Sequence, residues 1–311
     1  MGSRGFLCKN DIQDLYGQAG NRTAVTAAGV RIKEGSAIMM IKVRNIRIGE
    51  GKPKICVPVT GSGTEEIFRN AAAAAAARPD LVEYRCDFFE DVTDPEKLSA
   101  VLKEIRGILK EIPLLLTFRS GEEGGACSVS DEEYLKICRT GIGSGVIDLI
   151  DVELKRYLRI SGPHTGITGD WNAGEMKGLE TDPCPGPDLL GQAHEKGISV
   201  VMSSHEFGYT PDEEDILARL AGMDQCGADI VKIAVMPKSR EDVLTLLHAT
   251  VKMHQQTGKP LITMSMGELG AVSRIIGSFT GSCITFASVG EASAPGQLEA
   301  GRMRRILDEL P

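Results

Sequence analysis

Asp229-Ile-Val-Lys-Ile-Ala-Val-Met-Pro237 is a short, β-branched and almost continuously apolar run closed by proline. It has the pattern of a strand buried on both faces. Lys232, in its middle, does not fit that setting. Moving an ammonium into an apolar interior is costly, so a buried lysine is usually paired or partly deprotonated. Two readings stand side by side. The stem lines the strand while the head snorkels to water, or the amine is desolvated and ready to form a Schiff base with a carbonyl compound.

Working outward, the same kind of run recurs at residues 55–60, 81–86, 114–118, 146–152, 198–203, 261–265 and 283–289. Amphipathic helical text follows each strand, at 64–78, 95–109, 131–140, 189–196, 212–225, 240–256, 268–276 and 298–310. Thr64-Glu-Glu, Asp94-Pro-Glu, Ser130-Asp-Glu-Glu and Thr210-Pro-Asp-Glu-Glu are sound helix starts. Eight strand–helix pairs in about 260 residues predict an α/β fold, a (β/α)8 TIM barrel over residues 41–311. A doubly wound open sheet is the alternative, but no phosphate-binding glycine fingerprint follows the first strand. Gly141-Ile-Gly-Ser-Gly145 ends a helix and reads as a loop. Two stretches stand outside the rhythm. Residues 1–40 form an N-terminal extension, with strand-like text beginning at 41–48. Residues 155–187, rich in Gly and Pro and holding Trp171, read as an irregular insertion, with a substrate lid as the second reading.

A formal net charge of -8 argues against a nucleic-acid partner. No apolar run reaches the roughly 18 residues of a membrane span, and the first residues lack a secretion signal. The eight cysteines form no Cys-x-x-Cys pair and fall mostly in strands or helices, which suits reduced thiols in a cytoplasm.

In a barrel, chemistry gathers at the carboxyl ends of strands. The second strand ends in Glu83-Tyr-Arg85-Cys-Asp87, and the third in Thr117-Phe-Arg119-Ser before Glu123-Gly-Gly. The fifth ends in Ser203-Ser-His205-Glu-Phe. The seventh leads through Met264-Ser-Met266 to Arg274, and the eighth runs from Phe286 to Ser293-Ala-Pro-Gly-Gln297. Each has a structural alternative: an ion-pair ladder for Glu83, Arg85 and Asp87, a satisfied core histidine for His205, a solvated loop for Glu123. Arg274 fits the outer face of a helix, Ser293 and Gln297 fit a helix start, and Met264, Met266 and Phe286 fit ordinary core. Together they describe a site for an anionic carbonyl substrate. A desolvated lysine is the nucleophile, a histidine transfers protons, and an arginine fork holds a carboxylate.

These blocks, with Lys54-Ile-Cys-Val-Pro and Val231-Lys232-Ile-Ala-Val-Met-Pro, resemble the type I 3-dehydroquinate dehydratases over roughly residues 41–154 and 188–311. Those enzymes are Schiff-base lyases of the shikimate pathway of aromatic amino acid biosynthesis. The extension and the insertion depart from the family pattern. The resemblance implies Lys232 as the Schiff-base lysine, His205 as the general acid–base and Glu123 as its orienting carboxylate. It implies Arg274, Ser293 and Gln297 at the substrate carboxylate, and Glu83, Arg85 and Arg119 at the ring hydroxyls. Met264, Met266 and Phe286 would form an apolar wall. It further implies a cytoplasmic homodimer, a small-molecule substrate, and no metal or diffusible cofactor. A class I aldolase would share the lysine but has no reason to hold the His205, Arg274 and Ser293/Gln297 set. A barrel that only binds or scaffolds would give no adduct at Lys232.

Overall fold

Side chains along a strand alternate between two faces, and here both faces are apolar for much of their length. The computed structural model describes residues 23–25, 31–33, 39–161, 188–290 and 296–310, and it covers one face with helices and the other with a filled interior. Eight parallel strands form a single sheet. They are β1 Lys54–Val59, β2 Leu81–Arg85, β3 Leu114–Thr117, β4 Leu149–Glu153, β5 Ser199–Glu206, β6 Ile230–Val235, β7 Leu261–Ser265 and β8 Ile284–Phe286. The strand order is β7-β6-β5-β4-β3-β2-β1-β8. A bridge between Leu261 and Ser282, with the Cys283 N–H donating to the Leu261 carbonyl at 2.8 Å, joins the two ends. The result is the expected (β/α)8 TIM barrel.

The described helices are α1 Thr64–Ala76, α2 Pro95–Leu109, α3 Asp131–Gly143, α4 Leu154–Ser161, α5 Leu189–Glu195, α6 Glu213–Gln225, α7 Arg240–Gln256, α8 Ala271–Ile275, α9 Gly277–Thr280 and α10 Ala300–Glu309. Val57, Val82, Leu116, Val152, Met202 and Ile233 belong to the core between sheet and helices. Cys56, Leu81, Leu115, Leu149, Val201, Ile230, Ile262 and Ile284 pack together inside the barrel. Among the described residues no helix is long and apolar enough to cross a membrane.

Residues 41–48 are an antiparallel hairpin, Ile41–Val43 with Ile46–Ile48, rather than one strand. Val43 and Ile48 join the apolar interior and close the barrel at the amino ends of its strands. The turn puts Arg44 at φ 49, a left-handed conformation that side chains disfavour. Its guanidinium bonds Asp148 at 2.6 Å and Glu111 at 3.2 Å, and these tertiary contacts hold the turn.

Several boundaries differ from the sequence reading. The fourth strand is Leu149–Glu153 rather than 146–152. Residues 155–161 are not irregular but part of α4, where Arg156 and Arg159 both reach Asp131. Residues 162–187, with Trp171, lie outside the described residues, as do residues 1–22. Gly63, not Thr64, precedes α1, and Asp212, not Thr210, caps α6 through the N–H of Asp215. The last helix starts at Ala300, where the Glu299 carboxylate accepts from the N–H groups of Gly301 and Arg302. The helix expected at 268–276 is two short pieces, α8 and α9.

Candidate active site

Above the apolar layer the inward positions of β2 to β6 become polar, two residues further along each of these strands. Glu83 follows Leu81, Thr117 follows Leu115, Asp151 and Glu153 follow Leu149, Ser203 and His205 follow Val201, and Lys232 follows Ile230. The period of two puts them all on the inner face. Parallel pairing sets Lys232 beside Ser203, Ser203 beside Glu153 and Ala234 beside His205.

Lys232 is 4% exposed, so its head does not snorkel. Its Nζ lies 3.4 Å from Oδ2 of Asp151, 3.8 Å from Oε1 of Glu83 and 4.7 Å from the centre of the Phe286 ring. Glu83 accepts the Thr117 hydroxyl at 2.9 Å.

Arg119 is the hub of the neighbouring network. Its Nη1 donates to Glu123 at 3.2 Å, Glu153 at 3.0 Å and Ser203 at 3.0 Å, while Nη2 donates to Asp151 at 2.9 Å. Burial lowers this guanidinium's hold on its proton, but Asp151, Glu153 and Glu123 outweigh it and leave it above the ordinary arginine value. Glu153 also accepts the Ser120 N–H at 2.8 Å.

Oε2 of Glu123 lies 2.9 Å from Nδ1 of His205 and accepts the His205 backbone N–H at 3.1 Å. Burial first, then Arg119, Lys232 and Arg85, holds the imidazole well below its ordinary value, so His205 rests neutral. Burial and Glu153 push the Glu123 carboxyl up, against Arg119. Its Oε2 nevertheless faces Arg119, the His205 N–H and Nδ1 together, and three donors on one oxygen favour the carboxylate. The ring hydrogen then sits on Nδ1 and Nε2 is the basic nitrogen.

The loop that carries Glu123 is tightly built. Gly125 donates to the Ser120 carbonyl at 2.8 Å, and a Cβ there would lie 1.8 Å from the Arg119 carbonyl oxygen. Arg159 of α4 reaches Glu122 at 3.2 Å from outside.

Of the predicted residues, Lys232, His205, Glu123, Glu83, Arg119 and Phe286 are thus brought into one connected group. Arg85 is held two-pronged by Asp87, both bonds 2.8 Å, and Asp87 also accepts the N–H groups of Arg119 and Ala126. Arg274 on α8 is 3% exposed, with Nη1 3.9 Å from the Met264 sulfur, and burial pushes its guanidinium down to about 10. Met264, Met266 and Phe286 are buried side by side in the barrel interior. Gln297 is partly buried between β8 and α10, and Ser293 lies outside the described residues. Sequence reasoning missed Asp151 and Glu153. The signal was present in Leu149-Ile-Asp-Val-Glu153, which repeats the two-residue spacing of Glu83 and Arg85.

The arrangement combines a dry amine, a neutral imidazole backed by a carboxylate, and flanking arginines, a set able to run proton transfers on a carbonyl compound. The type I 3-dehydroquinase family model matches residues 55–161 and 179–310. A 3-dehydroquinate dehydratase of Listeria monocytogenes is 44% identical over 270 residues, 87% of this chain and 97% of the relative. One from Klebsiella pneumoniae is 43% identical over 271 residues, 87% of this chain and 98% of the relative. The solved 3-dehydroquinate dehydratase of Geobacillus kaustophilus superposes with a TM-score of 0.77 at 38% identity, covering 88% of this chain and 96% of that one. The type I enzyme of Clostridium difficile gives 0.76 at 37%, covering 87% and 97%. The chain belongs to the type I 3-dehydroquinase family, whose members are hydro-lyases.

Proposed function

We propose that the chain dehydrates 3-dehydroquinate to 3-dehydroshikimate through an imine on Lys232, one step of the shikimate pathway. The observation that carries this reading is the Lys232 amine, 4% exposed, between two carboxylates and one strand away from the His205–Glu123 pair. Family membership supplies the substrate. The Clostridium difficile relative was solved with covalently modified comenic acid, which fits an imine-forming site here.

In this reading the Lys232 nitrogen adds through its lone pair to the C3 ketone and the carbonyl oxygen leaves as water. The resulting iminium acidifies C2, whose proton passes to Nε2 of His205. The same histidine returns a proton to the C1 hydroxyl, which leaves as a second water. One water then hydrolyses the imine, so one is lost in the net reaction. Glu123 keeps the ring hydrogen on Nδ1 throughout. Arg274, Ser293 and Gln297 hold the substrate carboxylate, and Glu83, Arg85 and Arg119 its ring hydroxyls. Met264, Met266 and Phe286 exclude water. The reading carries with it a homodimer working in the cytoplasm, for which the free thiols of Cys56, Cys86, Cys127, Cys138, Cys226 and Cys283 are support.

The test is borohydride reduction in the presence of 3-dehydroquinate, followed by peptide mass mapping. The expected result is one adduct, on the peptide that contains Lys232. A folded, unlabelled chain overturns the reading.

A further inference from the structure

We infer that Asp151 is the counter-ion of the cation formed on Lys232, the carboxylate that keeps the imine protonated while it works. This rests on the imine reading above and adds a catalytic residue to it.

The two oxygens of Asp151 have separate partners. Oδ1 accepts Arg119 Nη2 at 2.9 Å and the Ser203 hydroxyl at 2.7 Å. Those two donors fix the carboxylate and leave Oδ2 facing Nζ of Lys232 at 3.4 Å. Asp151 is 1% exposed and Ser203 fully buried, so no solvent screens the pair. Burial raises the Asp151 carboxyl, but Arg119 and Lys232 outweigh it and hold it below the ordinary carboxylate value, which keeps it an anion.

The chemistry requires such an anion. When the amine condenses with a ketone, a C–N bond forms and the C–O bond breaks. The nitrogen is cationic if it keeps its last hydrogen and neutral if it loses it. Only the cation accepts the electron pair released when the C2–H bond breaks. That pair forms the C2=C3 double bond, the C=N pair moves onto nitrogen, and the product is a neutral enamine. A dry interior by itself favours the neutral imine. A fixed anion in contact with the nitrogen reverses that preference. The titratable or charged groups around Nζ are Asp151 from β4, Glu83 from β2, Cys56 from β1, and the more distant Arg119 and His205. Asp151 is the nearest of the two carboxylates and the one locked by donors on its far side.

Two hydride reagents separate the outcomes. Borohydride reduces an imine in either protonation state, whereas cyanoborohydride near neutral pH reduces the protonated form. With 3-dehydroquinate, the unmodified chain is expected to be trapped by both. Asp151→Asn keeps an oxygen for Arg119 and Ser203 but loses the charge facing Nζ. Its borohydride adduct is expected to persist, while cyanoborohydride trapping and turnover both fall about 100-fold, as when one fixed charge partner is removed from a reacting centre. Asp151→Glu, which retains the charge, recovers part of both. Equal trapping of Asp151→Asn by the two reagents, with turnover intact, overturns the counter-ion role and leaves the imine reading standing. Loss of the borohydride adduct in a folded Asp151→Asn also overturns it, because Asp151 would then act before the imine exists. Absence of any adduct in the unmodified chain overturns the imine reading itself. If Asp151→Asn does not fold, nitrogen NMR of the unmodified chain carrying 15N-labelled lysine and saturated with 3-dehydroquinate decides. A protonated C=N nitrogen supports the inference and an unprotonated one overturns it.

Discussion

A single oxygen of Glu123 holds His205 twice, at the ring Nδ1 (2.9 Å) and at the backbone N–H (3.1 Å). The strand and the imidazole are therefore positioned by the same carboxylate, and ring orientation is tied to the register of β5. Glu123→Gln keeps the size and loses the charge. Turnover, followed by the ultraviolet absorbance of the conjugated enone, is expected to fall about 100-fold, the lower end of a proton-transfer contribution. Borohydride trapping should persist, and its loss would show that Glu123 acts at the lysine instead.

Lys232 and His205 are expected to separate in the same assay. Lys232→Ala gives no adduct and no turnover. His205→Ala still forms the adduct but stalls at elimination, with turnover down about 100-fold or more. Equal loss of trapping in both variants contradicts the division of roles.

The pH profile follows from the direction of the His205 shift. Burial, Arg119, Lys232 and Arg85 all disfavour the imidazolium, so the neutral base survives to lower pH than a free imidazole of ordinary value 6.5. The acidic limb of kcat/KM that belongs to His205 should therefore lie below 6.5. A limb at or above that value would show a solvated histidine.

Gly125→Ala tests the loop rather than the chemistry. A Cβ 1.8 Å from the Arg119 carbonyl oxygen has to displace backbone, and Glu123 lies two residues away. Turnover is expected to drop about tenfold or more, because small misplacements of catalytic groups are costly. A kinetically normal Gly125→Ala would mean the loop can move without disturbing Glu123.

The hairpin makes a stability prediction. Ile48 is fully buried beneath the barrel, and Ile48→Ala should cost about 2–5 kcal/mol in urea unfolding. A loss near zero would make the hairpin an appendage.

The barrel was legible because each strand is an apolar run and each helix an amphipathic one, a contrast that survives small boundary errors. Lys232 was legible for the opposite reason, as one charge in an apolar strand. Asp151 and Glu153 were not, because a strand taken as 146–152 cuts the carboxylate pattern in half. The hairpin turn was also hidden. Arg44 and Asn45 carry no turn glycine, and the bend depends on Asp148 and Glu111, more than sixty residues away in sequence. Helix starts shifted by a residue or two where Thr and Asp compete as caps, as at Thr210 and Asp212.

The hairpin at residues 41–48 has a kinetic consequence. With Val43 and Ile48 packed against Cys56, Leu81, Leu115 and Ile230, the barrel is blind at that end. Substrate, product and every water exchanged in a turnover must then use the opposite opening in sequence. A molecule lodged at that rim would obstruct entry and exit alike, so an inhibitor bound there competes with substrate even if it never touches Lys232.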